Sequence, residues 1–371
     1  MSERDLKQMY RSKNVGDFPA TLEVAGRKYT KVEDLRYGTN PHQPAAFYRP
    51  VEGDCVLGAH EVLKTGKSGL SQTNIEDMHH AVGILKYIDR PACAVMKHCN
   101  PSGAAMQMNG MTLRDVYTRA RDADSQAAFG SVVVFNREVD DATATEIMQT
   151  IVEGVAAPGY FPEALKVFNG FETFRRNKEI RIVKLPSFDK LPKYVEDGTD
   201  VREMKVFDDG SIVVAMPYLS RVKSVEDLVP AYNEHEKKGH IEIARKPDAR
   251  ELADLLFAWY VNIHVRSNGV VIVKNGQTLA VGTGEQDRVG AVEQAIHKAK
   301  KKYSGTETLQ GAVMSSDGFF PFRDAVEAAT KEGITAIVQP GGSVNDYDAI
   351  VSCNESNTAM VFSMERCFSH H

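Results

Sequence analysis

Short apolar runs alternate with stretches of helical period along most of this chain. Between residues 71 and 88, Ile75, Met78, Val82 and Leu85 recur at helical spacing behind a Ser/Thr/Asn start, which predicts a helix. Residues 92–96 are apolar throughout, too short for a helix and bounded by Pro91 and by Asn100-Pro101. They are expected to form a buried parallel strand that delivers Lys97 and His98 to its carboxyl end. A helix at 113–123, a strand at 131–135 and a helix at 141–152 continue one α/β sheet. Residues 15–30 read as a short extended lead-in, and residues 35–44, dense in turn formers and without period, as a loop.

The texture changes from about residue 186 to 246, where charge rises and prolines become irregular, so residues 191–246 are expected to be a crossover between a first lobe at 1–190 and a second at 247–371. The second lobe opens with a helix start at Pro247-Asp248 and a stripe of Leu252, Leu255, Leu256 and Trp259. Two apolar runs, 270–273 and 279–281, flank Asn275-Gly276, a strong hairpin signal. A helix with Val289, Val292, Ile296 and Ala299 on its apolar side comes next, then strand, helix, strand, helix and strand at 311–315, 323–331, 335–338, 346–353 and 358–362.

Composition narrows the class. The 371 residues suffice for two cores, although a single barrel is also compatible with that length. With 42% hydrophobic and 26% charged residues, and no apolar run near the ~20 residues of a membrane span, the expectation is a soluble enzyme rather than a membrane protein. Five cysteines without a Cys-x-x-Cys pair suggest a reducing, cytoplasmic setting, and a net charge of −5 argues against a general nucleic-acid binder.

The candidate chemistry starts at Lys97 and His98. Ligands of open α/β sheets bind at the carboxyl ends of strands, where an imidazole can move a proton and an ammonium can stabilise an oxyanion. A strand that simply runs out into polar residues would look the same. Other motifs fail on spacing. Gly66-Lys67-Ser68 imitates the end of a P-loop, but Glu61 stands where its first glycine belongs. His235 and His240 are five apart, about 140° round a helix, which suits a solvated charged segment better than a metalloprotease zinc site. The sequence is read as carrying neither the His-x-Glu nor the Cys-x-x-Cys of zinc deaminases, so hydrolytic deamination is not expected.

Read in order, the segments Leu35-Arg36-Tyr37-Gly38-Thr39-Asn40-Pro41-His42-Gln43, Lys97-His98-Cys99-Asn100-Pro101-Ser102-Gly103, Ala128-Phe129-Gly130-Ser131, Ala157-Pro158-Gly159-Tyr160, Arg266-Ser267-Asn268, Gly282-x-Gly284-x-Gln286-x-Arg288, residues 316–324, Gln339-Pro340-Gly341-Gly342-Ser343 and residues 366–371 resemble the transformylase region of the bifunctional AICAR transformylase/IMP cyclohydrolase family. The resemblance implies two cytidine-deaminase-like α/β lobes without a catalytic zinc, and a homodimer with shared active sites. It implies transfer of a formyl group from 10-formyltetrahydrofolate, as co-substrate, to the 5-amino group of AICAR, giving FAICAR and tetrahydrofolate in purine biosynthesis. Carried over residue by residue, it makes His98 the proton acceptor, Lys97 the transition-state stabiliser and Asn268 an AICAR contact, whose amide can also serve as a second donor to the oxyanion. Arg36, Tyr37, Gly130, Glu153, Phe319 and Arg366 become AICAR contacts, and Arg288, Val289, Asp324, Ser343 and Val344 folate contacts. Glu285, Asp287 and an additional Ser369 depart from the family pattern. Because Met1 stands just ahead of these motifs, ring closure to IMP is expected from a separate cyclohydrolase.

Overall fold

The structure, a computed structural model, describes residues 8–9, 12–170 and 172–370. Its centre is a mixed sheet of twelve strands. From one edge to the other these are Val229–Pro230, Ala359–Phe362, Ile334–Gln339, Ala312–Ser316, Val270–Lys274, Gln277–Gly282, Asn100–Met106, Ala92–Lys97, Ser131–Phe135, Val152–Ala157, Arg181–Lys184 and Glu61–Lys64.

The two halves of this sheet repeat one topology. In the first, helix Gln72–Leu85 leads into the hairpin Ala92–Lys97/Asn100–Met106. Helix Leu113–Asp122 returns the chain to Ser131–Phe135, antiparallel to Ala92–Lys97, and helices Asp141–Met148 and Pro162–Asn169 connect the parallel strands that follow. In the second, helix Ala249–Asn262, the hairpin Val270–Lys274/Gln277–Gly282, helix Arg288–Lys301 and strand Ala312–Ser316 occur in the same order and sense. Helices Asp324–Lys331 and Asp346–Glu355 then join the parallel strands. The halves meet where Asn100–Met106 runs antiparallel to Gln277–Gly282. There Thr278 Oγ1 accepts from the Ala104 amide at 2.9 Å and donates to the Ala104 carbonyl at 3.2 Å, while Arg119 Nη2 donates to the Asn275 carbonyl at 2.7 Å.

Local chemistry explains the elements that lead into each hairpin. Ser71 caps the first helix by accepting from the Asn74 amide, and Asn74 returns the bond to Ser71 N; Asp248 and Glu251 form the same box on helix Ala249–Asn262. These two helices cover one face of the sheet and share a core with Trp259. The remaining helices pack on the other face in separate clusters, one per half. Along Ala92–Lys97, Ala92, Ala94 and Met96 join the shared core while Cys93 and Val95 face the opposite layer.

That two-sided burial corrects the expected strand direction. Ala92–Lys97 is antiparallel to both neighbours, not parallel, because covering both faces produces an unbroken apolar run whatever the direction. Residues 141–152 are not one helix either: the helix ends at Met148 and Val152 begins a parallel strand. Residues 235–240, read as a solvated segment, form an exposed hairpin of Tyr232–His235 and Gly239–Glu242.

A glycine in the second strand of each hairpin allows the next helix to approach. At Gly103 a Cβ would overlap the carbonyl of Ala120, and at Gly282 that of Ala291. Gly103→Val is therefore expected to destabilise the chain by about 1–3 kcal/mol or more through overpacking, read as a lowered urea midpoint with unchanged slope. Wild-type stability in that variant would show that the helix is free to retreat.

Candidate active site

Lys97 ends the first strand of the first hairpin, and His98 opens its two-residue turn, whose second member is Cys99. Both turn residues are left-handed, at φ 54° for His98 and 65° for Cys99. Side chains with a Cβ resist this conformation, so the tip must be held by its surroundings. From helix Gln72–Leu85, Asp77 Oδ1 accepts the Cys99 amide at 2.7 Å. Asn100 Nδ2 donates to the His98 carbonyl at 3.2 Å, and Lys97 Nζ donates to the Gly130 carbonyl at 2.7 Å. Gly130 is itself left-handed, at φ 68°, and any Cβ there would crowd the Lys97 ammonium at 3.2 Å.

The electrostatics of the tip favour a neutral imidazole. Partial burial lowers the His98 pKa from its ordinary 6.5 and the neighbouring Lys97 lowers it further, against the opposing pull of Glu153. Burial, opposed by the Cys99 amide and Lys97, leaves the Asp77 carboxyl raised to about 7.

Glu153, whose charge acts on His98, also lines a cleft of about 720 Å³ whose walls include Arg36, Tyr37, Lys67 and Arg181. Arg36 is 4% exposed; it donates to the Tyr37 hydroxyl at 2.7 Å and to the Lys67 carbonyl at 3.3 Å, while its buried Nε has no hydrogen-bond partner. Arg181 donates to the carbonyls of Gly69, Lys67 and Glu153 at 2.6, 3.0 and 3.2 Å. Burial, and then repulsion from Arg36, lowers its pKa to about 10. Two buried guanidinium groups that share the Lys67 carbonyl bring positive charge together that suits an anion such as a phosphate, beside the carboxylates of Glu153 and Glu179. Glu153 sits 3.9 Å from Arg181 Nη1 and accepts from Asn74 Nδ2 at 3.2 Å, so the cap of the first helix also orients the cleft's carboxylate.

A second cavity of about 200 Å³ lies against the tip, lined by Lys97, His98, Asn100, Asp124, Thr283 and Lys298. Here the halves join: Asn100 Oδ1 accepts from the Arg266 amide at 3.0 Å and from Thr283 Oγ1 at 2.7 Å. This bond anchors the Arg266-Ser267-Asn268 segment beside the tip. The Asn268 amide donates to the Glu285 carbonyl at 2.9 Å, so one of its two protons is engaged. The tail is docked on the same segment, with Ser267 N donating to the Ser369 carbonyl at 2.9 Å; His371 lies outside the described residues.

The other expected ligand contacts follow strands of the second half. Arg288 is buried against Asp317 in an ion pair and also donates to the Gly269 carbonyl at 3.4 Å. Arg366 lies over the Phe368 ring at 4.8 Å. Phe319, Asp324 and Val344 are exposed, Val289 is half-buried, and Ser343 is buried with its amide on Asp346. The structure thus gathers Arg36, Tyr37, Gly130, Glu153, Lys97 and His98 in the first half and brings Asn268 to the seam. The remaining contacts form a second group around Asp317 and the strand ends beyond it.

Sequence reasoning missed three participants. Arg181 has no local motif and meets Arg36 only through the fold. Lys67, set aside with the failed P-loop, does reach the cleft, but the helix that follows begins at Gln72 behind its own cap. Asp77 left a readable signal: with Asn74, Met78 and Ala81 it falls on the buried side of a helix, where an unexplained carboxylate points to a partner. A His-x-Glu, passed over in the sequence, occurs at His240-Ile241-Glu242. His240 is hydrogen-bonded there to Glu234 and Glu242 on the exposed hairpin. Among the described residues no group of three or more His, Cys, Asp or Glu is placed to hold a metal ion.

Comparison with known proteins adds the family context. A family profile described as AICARFT/IMPCHase bienzyme matches residues 4–298. The chain is similar to a protein named bifunctional purine biosynthesis protein PurH in Acetivibrio thermocellus, 39% identical over 357 residues that cover 95% of this chain and 62% of the relative. It is 38% identical to the proteins of that name in Oceanobacillus iheyensis and Aquifex aeolicus, over 92% of this chain and 60% of each relative. The chain therefore spans about 60% of the length of these relatives.

The charge arrangement at the tip has a direct test. His98 is expected to titrate below 6.5, and Lys97→Met to raise its pKa, because the ammonium that disfavours protonation is removed while Glu153 remains. An NMR titration of the imidazole checks both; an unchanged or lowered value in the variant would mean that Lys97 does not act on His98.

Proposed function

The chain belongs to the AICARFT/IMPCHase bienzyme family, and on that premise we propose that its residues carry out the transformylase step of purine biosynthesis. In this reading the formyl group of 10-formyltetrahydrofolate passes to the 5-amino group of AICAR, giving FAICAR and tetrahydrofolate. The observation that carries the reading is the placement of Lys97 and His98 at one hairpin tip beside the seam of the two halves, with Glu153 of the arginine-lined cleft acting on His98.

The chemistry asks for what this turn offers. The AICAR amine is conjugated with its carboxamide and attacks poorly unless a base removes a proton as the new C–N bond forms. A neutral imidazole lowered below its usual pKa serves at neutral pH. Attack moves the carbonyl electron pair onto the formyl oxygen, where the Lys97 ammonium, with the Asn268 amide as a second donor, stabilises it. Collapse breaks the bond to N10 of the folate. The proton taken by His98 then returns to that nitrogen, so tetrahydrofolate leaves neutral at N10. The 5′-phosphate belongs with Arg36 and Arg181, and Arg366, Phe319, Tyr37, Gly130 and Glu153 complete the AICAR site. Arg288, Val289, Asp324, Ser343 and Val344 make the folate site, in which the buried pairing of Arg288 with Asp317 leaves only part of its guanidinium for the ligand.

A homodimer with shared sites and two cytidine-deaminase-like lobes in a cytoplasmic enzyme are parts of the same proposal. Its support is the repeated topology and an exposed ribbon, Glu203–Val206 paired with Ile212–Ala215. Met204, Val206, Ile212 and Val214 share one face of that ribbon, and all are exposed. An isolated two-stranded ribbon with an uncovered apolar face is marginal in water, which suits coverage by a second copy.

His98→Ala is expected to lower kcat for AICAR-dependent tetrahydrofolate release by about 10²–10⁴-fold while AICAR still binds. Lys97→Met should raise the barrier by about 2.7–4 kcal/mol. Wild-type turnover in either variant removes that residue from the chemistry, and an inactive wild type removes the proposal.

Complementation tests the sharing of sites. Mixed His98→Ala and Arg288→Ala chains, each inactive alone, should regain activity if the two residues serve one site from opposite copies. Full specific activity from a demonstrated monomer would contradict the shared site.

A further inference from the structure

The two halves carry the same buried acid at the same place. Asp77 is the sixth residue of helix Gln72–Leu85 and Asp254 the sixth of helix Ala249–Asn262, and they are 4% and 2% exposed. Each points at the two-residue turn of the hairpin that follows its helix. Asp77 Oδ1 accepts the Cys99 amide at 2.7 Å; Asp254 accepts the Gly276 amide through Oδ1 and the Asn275 amide through Oδ2, both at 2.8 Å. The turns match in backbone too, with φ 54° and 65° at His98 and Cys99 and 53° and 71° at Asn275 and Gly276.

The difference lies in what the turns carry. Asn-Gly is the pair best suited to two left-handed positions, and in the second half it bears no reactive side chain. In the first half the same backbone is imposed on a histidine and a cysteine, which resist it, and the reactive side chains stand on and beside it. Asp254 also has an arginine at hand, Arg250 at 3.1 Å, whereas the charges acting on Asp77 are Lys97 in favour of its ionised form and Glu76 and Glu153 against it. A buried carboxylate kept in such company needs a reason beyond helix packing.

We propose that Asp77 is a positioning residue for formyl transfer: by holding the Cys99 amide it keeps the tip left-handed and sets Lys97 and His98 toward the reacting groups, while Asp254 is its purely structural twin. This rests on the transformylase reading and adds a residue to that site. Asp77 touches neither substrate; it acts through the turn.

The twin supplies the control. In the full chain, Asp77→Ala is expected to lower kcat by about 10–100-fold, the scale of a reacting group misplaced by about 1 Å, with KM for AICAR changed less than about threefold. Asp77→Asn, whose amide oxygen can still accept the Cys99 N–H, should recover activity to within about fivefold of wild type. Asp254→Ala should lower the melting temperature as much as Asp77→Ala does, yet keep kcat within about twofold where it is folded. Full kcat in Asp77→Ala, or an equal loss of kcat in Asp254→Ala, overturns the proposal. If Asp77→Ala does not fold, Asp77→Glu takes its place: the longer side chain displaces the acceptor, a kcat loss of at least about tenfold is expected, and full kcat overturns the proposal. A wild type without transformylase activity would refute the formyl-transfer reading itself. The geometry is then decided by protein labelled with ¹⁵N at its five cysteines. Loss of Cys99 amide protection and a shifted His98 ring signal in Asp77→Ala, absent in Asp254→Ala, sustains the positioning role, and unchanged signals overturn it.

Discussion

Two adjacent residues with side chains, His98 and Cys99, are held left-handed at the tip of the hairpin next to the seam of the sheet, and the candidate site depends on that constraint. A strand continuing beyond Lys97 would have carried the imidazole away from the ammonium. The tight reversal instead puts both at one point, against a cavity that faces the second half. The tip is gripped from three directions: by Asp77 on the helix beneath, by Asn100 reaching back to the His98 carbonyl, and by Lys97 fastened to Gly130 on the next connection. Left-handed conformations of non-glycine residues persist only when the surroundings over-determine them, and these contacts do so.

The repeated topology explains why the site has two sources. Each half presents a hairpin turn beside its first helix and loops at the ends of its parallel strands. Only the first half's turn carries Lys and His, and the loops expected to contact folate belong to the second half. Asn100 is the hinge of this division, since its single side chain bonds the first turn and the Arg266 segment that leads to Asn268. The pairing of Asn100–Met106 with Gln277–Gly282 makes the two halves one sheet, so the registry of the turn with that segment is built into the core.

Much of this was legible in the sequence, and unevenly. The second half followed its periodicities closely: Asn275-Gly276 does turn the hairpin, and the helix at Arg288–Lys301 and strands at Ala312–Ser316 and Ile334–Gln339 lie within a residue or two of expectation. The first half was harder where residues serve two purposes. Asn100-Pro101-Ser102-Gly103 looks like a loop but forms a strand, because Gly103 is there to admit a helix and Ser102 closes on the Val95 carbonyl at 3.1 Å. The direction of Ala92–Lys97 is not encoded in its own residues, which are buried on both faces. At the site, Lys97 and His98 were found through a motif, whereas the approach of Arg181 to Arg36 depends on strand order and leaves no local trace. Asp77 lies between these cases: its position on a buried helical face is visible in the sequence, its partner is not.

Whether the turn, the arginine cleft and the seam act on one substrate pair is decided by a structure of the chain with AICAR and an unreactive folate analogue. The 5′-phosphate is expected within about 3 Å of the guanidinium groups of Arg36 and Arg181, and the 5-amino group within hydrogen-bonding distance of the His98 imidazole. AICAR bound elsewhere, with Lys97 and His98 facing solvent, would contradict it.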